Sequence, residues 1–161
     1  MKLRIAALML LAMPLIGCGA SHLIVEQPNR SSVRAQALDL QYDNTVTGVP
    51  QSASVHVQQK MEEAFFGKNA PFARGRDITI RYRFIGYDKG SRIGRYFLGA
   101  MGVGEAQMVL EAEFVDPQGN ILSRIRSEGE IGAGFFGGSS NSAINKAVKE
   151  IRQYAVTHFK G

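Results

Sequence analysis

Thiols are almost absent from this chain. A single cysteine, Cys18, stands in 161 residues. No internal disulfide is possible, and a metal site built on several thiolates is excluded. No run is apolar for long enough to cross a bilayer. The longest, Ile5 to Ile16, has about twelve residues where a span needs roughly twenty. Charge of one sign is also in short supply. The formal net charge is +5, and setting aside Lys2 and Arg4 leaves 17 basic against 14 acidic residues, a net of +3. Nucleic-acid binding calls for a clustered basic stripe, which is lacking, so no nucleic-acid partner is expected.

The inventory for catalysis is equally thin. His22, His56 and His158 are the only histidines, and none has a carboxylate or second histidine at ligand spacing. Asp39, Glu62, Glu63 and Asp88 have no evident mate in the sequence. Ser139-Ser140 lacks the G-x-S-x-G setting of a hydrolase nucleophile. No catalytic residue, metal or cofactor is therefore expected, and the chain is read as a non-enzyme.

The amino-terminal stretch is more informative. Lys2 and Arg4 precede the short apolar run, and the run ends in Leu15-Ile16-Gly17-Cys18. Length and flanks fit a secretory signal peptide over residues 1–17. The last four residues resemble a bacterial lipobox, which implies acylation of Cys18, palmitate among its chains, and a mature chain that starts there. Two or more acyl chains anchor stably, at roughly 0.8 kcal/mol per buried methylene. Gly19, rather than Asp, follows the cysteine. Resemblance to Gram-negative sorting then implies the outer membrane, with the body facing the periplasm. Residues 18–32 are expected to be a lipidated tether reaching about 45 Å when extended. Leu23-Ile24-Val25 offers the alternative of a short strand.

Residues 33–161 are expected to form one globular domain. Val33–Tyr42 alternates with period two, as do Asp77–Tyr87, Ala106–Asp116 and Ile121–Ile131. Asp116-Pro117-Gln118-Gly119-Asn120 reads as a hairpin turn. Val57, Met61, Ala64 and Phe65 mark one helix face, capped by Ser52 or Ser54 and ended by Gly67. Ile144, Ala147, Val148, Ile151, Tyr154 and Ala155 mark a second, from Ser142 to about Phe159. The expected fold is α+β: a two-layer sandwich, with a four-stranded mixed sheet and two helices on one face, in the order β-α-β-β-β-α. Its free face should carry Arg81 and Arg83, Glu111 and Glu113, then Arg124, Arg126, Glu128 and Glu130. That is read as an ordinary solvated surface whose cross-strand pairs fix register.

Two glycine-rich segments could carry function. Gly86–Gly104 is long for a connection between strands, and such connections usually have a job. Arg92, Arg95, Tyr96, Phe97, Leu98 and Met101 are its partner-contact candidates, for an envelope protein or, in an oligomer, for lipid. A short helix over Ser91–Leu98 covering the sheet edge is the alternative. Gly129–Gly138 contains a formal G-x-G-x-x-G, but no βαβ unit and no following acid support a dinucleotide. Gly137, Gly138, Ser139 and Ser140, before the last helix, are candidates for holding an anion or small ligand through free N–H groups.

Several pieces together resemble the bacterial lipoprotein family catalogued as domain of unknown function forty-four-ten. These are Gly90-Ser91-Arg92, Arg95-Tyr96-Phe97 with Gly99, Gly102 and Gly104, Phe114-Val115-Asp116 with Gly119, and Gly134-Phe135-Phe136-Gly137-Gly138-Ser139. The resemblance implies an envelope lipoprotein and supplies no activity. The expectation is a binding or assembly module anchored to membrane through lipid, with oligomeric state left open.

Overall fold

The computed structural model describes residues 21–88, 106–131 and 140–161. Its elements in chain order are β1 (Ser21–Gln27), β2 (Ala37–Tyr42), α1 (Gln51–Phe66), β3 (Ala73–Arg74), β4 (Ile78–Asp88), β5 (Ala106–Val115), β6 (Ile121–Ile131) and α2 (Ser140–Phe159). The strands form one mixed sheet in the order β1-β6-β5-β4-β2-β3. β2 runs parallel to both β3 and β4, and the other neighbours are antiparallel.

The α+β layout with two helices on one face is present, but the expected sheet is corrected from four strands to six, and the expected order β-α-β-β-β-α to β-β-α-β-β-β-β-α. The two additions have different origins. β1 lies in the stretch expected to be a tether, and it pairs with β6 a hundred residues downstream. The chain then stays fastened. Asn29 donates from Nδ2 to the His158 carbonyl (3.2 Å), and the Ala35 N–H donates to the Phe159 carbonyl (2.7 Å). Residues 28–36 thereby supply partners for carbonyls that α2 leaves open at its last turn. β3 is only two residues long, too short for any period to show.

Alternation decides which side chains enter the core. Ile78, Ile80, Tyr82 and Phe84 of β4 point inward with Met108, Leu110, Ala112 and Phe114 of β5. Val57, Met61 and Phe65 of α1, and Ile144, Ala147, Val148 and Ile151 of α2, meet them in one cluster. Phe114 stacks on Phe159 at 4.7 Å between ring centroids. Gly129 allows α2 to sit close on β6, because a Cβ there would lie 3.2 Å from that of Ala143. Polar groups on this side are partnered. Ser123 donates to the Gln27 carbonyl (2.7 Å) and meets the Tyr154 hydroxyl at 2.8 Å, and Ser127 donates to Glu150 (2.6 Å).

Both helix starts differ from expectation. α1 begins at Gln51, with Pro50 at the cap position, where its carbonyl accepts from the Ala53 and Ser54 N–H groups. Proline suits such a start because it has no N–H to satisfy. Ser54 is inside the helix and accepts from Tyr42 (3.1 Å) instead of capping. α2 begins at Ser140, two residues before the expected Ser142. The hairpin turn is as expected, with Gly119 at φ +89° and the Asp116 carboxylate accepting from the Gln118 and Asn120 N–H groups.

Candidate functional site: the open face of the sheet

Helices cover one face of the sheet. On the other, period two and antiparallel register line up two charged rows. Gln41, Arg81, Glu113 and Arg124 are successive neighbours across β2, β4, β5 and β6. Arg83, Glu111, Arg126 and Ile24 are neighbours across β4, β5, β6 and β1. The second row is closed by ion pairs into a chain of alternating sign. Asp43 lies 3.6 Å from Arg83, Arg83 is 2.8 Å from Glu111, Glu111 is 3.4 Å from Arg126, and Arg126 is 2.9 Å from Glu26. In the first row Arg124 grips one oxygen of Glu113 through Nε (2.9 Å) and Nη2 (2.6 Å).

Glu111 is the centre of this arrangement. It is 3% exposed although neither described helix lies over it, because its two arginines lie against it. A carboxylate so removed from water needs several donors, and Arg83 supplies two to Oε1 while Arg126 reaches Oε2. The hydrogen bond from Arg83 to Glu111 raises the Arg83 pKa further above its ordinary value, and Glu113 does the same for Arg124. Burial, followed by the charge of Glu62, pushes the Tyr82 phenol up. These arginines are therefore fixed cations, held at defined places by the sheet.

One guanidinium differs. Arg81 is exposed and makes no ion pair among the described residues, although it lies beside Glu113. It lines a cleft of about 300 Å³ with Gln41, Tyr42, Asp43, Tyr82, Arg83, Glu111 and Glu113. The four arginines stand among six acids on this face (Glu26, Asp39, Asp43, Glu111, Glu113 and Glu128), so the surface has no basic excess, and the free donors are those of Arg81 at the cleft. Such a site offers planar, fork-shaped recognition of a carboxylate or phosphate. No group of histidine, cysteine and acidic side chains suited to a metal occurs among the described residues.

The residues singled out in the sequence fall elsewhere. Arg92, Arg95, Tyr96, Phe97, Leu98 and Met101, and Gly137, Gly138 and Ser139, lie outside the described residues, as does Cys18. Ser140 is the first residue of α2 and is half-buried. Three of the four acids without an evident mate in the sequence have neighbours: Glu62 pairs with Arg74, Glu63 with Lys60, and Asp39 accepts from Gln41. His56 bonds Asn145, and His158 stacks near Tyr154. The Arg and Glu rows were visible as alternation. The enclosure of Glu111 was not, since it depends on which strands neighbour β5.

No protein-family model matches the chain, and no curated protein does. Some solved structures are similar in part. The PelC dodecamer from Paraburkholderia phytofirmans has 10% identity and a TM-score of 0.45, covering 89% of this chain and 99% of that one. A single-substitution PelC variant from the same organism gives 10% and 0.48, covering 86% and 98%. A chain titled "putative lipoprotein" from Caulobacter crescentus CB15 gives 10% and 0.47, covering 74% and 88%. Every score is under 0.5.

Proposed function

We propose that this protein is a lipid-anchored component of the bacterial cell envelope whose folded body binds a partner without transforming it. The anchor is Cys18, and the body faces the periplasm from the outer membrane. The lipobox-like Leu15-Ile16-Gly17-Cys18 supports the anchor. The binding half rests on one observation: a sheet face that neither described helix covers, with a cleft at which Arg81 makes no ion pair among the described residues. Ion pairs hold the surrounding side chains in place before any partner arrives, so less conformational freedom is lost on binding. The partner matched to this surface is a protein that presents a carboxylate or another anionic group to Arg81, with polar contacts along the neighbouring rows.

The anchor half is tested by fractionation. Cys18→Ala should leave the chain without acyl groups and release it from the membrane fraction. Normal membrane retention, or an unmodified Cys18 in mass spectra of the native chain, would contradict it. The binding half is tested by a photoreactive residue in place of Gln41, irradiated in cells. Adducts to a specific protein are expected, and they should be lost when Arg81→Glu is added. Adducts that survive the charge reversal would remove Arg81 from the interface.

A further inference from the structure

We infer that β1 is an interface between two copies of this chain, paired antiparallel with Ile24 facing Ile24. The proposal concerns a different surface from the charged cleft and does not depend on lipidation of Cys18.

The two ends of the sheet are treated differently. At one end β3 has two residues, and Arg74 sits on it, paired with Glu62 and lying 4.1 Å from the Phe66 ring. A short, charged edge of this kind resists further pairing. At the other end β1 has seven residues, and its outer backbone groups have no strand beside them among the described residues. Leu23, Ile24 and Val25 are 37%, 40% and 43% exposed, three of the four large exposed apolar side chains among the described residues. Ser21–Val25 contains no lysine and no proline, and it pairs regularly with β6. The irregularity begins only at Glu26 and is followed by Pro28.

The order of residues selects the occupant and the register. His22, Ile24 and Glu26 share the open face, and Leu23 and Val25 share the helix face. An antiparallel copy centred on Ile24 sets Leu23 against Val25 and His22 against Glu26, each pair on a common face. Apolar then meets apolar, and an imidazole N–H meets a carboxylate, at both ends by symmetry. Centring on Leu23 would set His22 against Ile24 and lose that match. A lipid surface fits less well, since an open sheet edge in hydrocarbon leaves its backbone N–H and C=O groups without partners. A second strand satisfies them, and the two sheets become one of twelve strands.

The test uses the full chain in isolated membranes. Residues facing each other across an antiparallel pair have Cα atoms about 4.5–5.5 Å apart, inside the range a disulfide accepts. Ile24→Cys under mild oxidation should give a reducible dimer about tenfold above the level of Ser52→Cys on α1, since only a pair within reach closes. Co-expressed His22→Cys and Glu26→Cys chains should crosslink to each other more than either does to itself. The parent chain, carrying Cys18, is the background. Equal yields at Ile24→Cys and Ser52→Cys would overturn the proposal. So would quenching of an environment-sensitive dye on Ile24→Cys by nitroxide-labelled lipid, which would show the membrane covering this edge. A disulfide to a chain of different mass would assign the edge to another protein and overturn it as well.

Discussion

The two faces of this sheet bury side chains by different means. On the helix face Phe84, Phe114, Leu110 and Ile151 are enclosed by other apolar groups, and the favourable term is water released from apolar surface. On the open face Glu111 is enclosed just as fully, but by arginines that are themselves partly in water. The first arrangement holds the molecule together. The second fixes a pattern of donors and acceptors on a face that no other described element occupies. Burial alone therefore does not mark a core.

Phe114→Ala should be the most damaging, removing the stacking on Phe159 and leaving a cavity, at about 3–5 kcal/mol. Chemical denaturation would read it. Glu111→Gln should cost less, about 1–3 kcal/mol, since Arg83 and Arg126 lose their shared acceptor but keep access to water and to Asp43 and Glu26. If it cost as much as Phe114→Ala, the open face would be part of the core. Gly119→Ala, at φ +89°, should cost about 1–2 kcal/mol by straining the turn that sets the register of both faces.

The same turn has a pH signature. Hydrogen bonds from the Asn120 side chain and then from backbone N–H groups hold the Asp116 carboxyl below its ordinary range. Its contribution is thus present above the unfolded value and lost as pH falls through the lower folded value. The stability difference between the parent and Asp116→Ala should therefore shrink on acidification below about pH 4. A difference independent of pH would contradict the assignment. Arg124→Ala should cost under about 1 kcal/mol, because its pair with Glu113 is partly in water. Arg81→Ala should change stability by no more than about 0.5 kcal/mol, since it makes no ion pair to lose.

The long strands were legible because β4, β5 and β6 alternate over ten or eleven residues with their partners close by in sequence. Asp116 to Asn120 announced the hairpin by turn chemistry alone. β1 was legible only as the alternative to a tether at Leu23-Ile24-Val25, for two reasons. Three consecutive apolar residues break the alternation, and the strand's partner lies at the far end of the chain. The start of β2 depends on Asp77, whose carboxylate accepts from the Gln36 and Ala37 N–H groups (both 3.0 Å), a contact no spacing rule would find. The charged rows were legible as composition and read as ordinary surface. What turns them into a site is register across four strands together with the free guanidinium of Arg81, and both are tertiary facts. The glycine-rich candidates at 92–101 and 137–139 lie outside the described residues.

Which face of the sheet meets a partner can be read directly. A photoreactive amino acid at Gln41, beside Arg81 on the open face, and in a separate chain at Val55, exposed on α1, would be irradiated in intact cells. A discrete heteromeric adduct is expected from position 41 and none of that mass from position 55. The same adduct from position 55 alone, or from neither, would contradict binding through the open face.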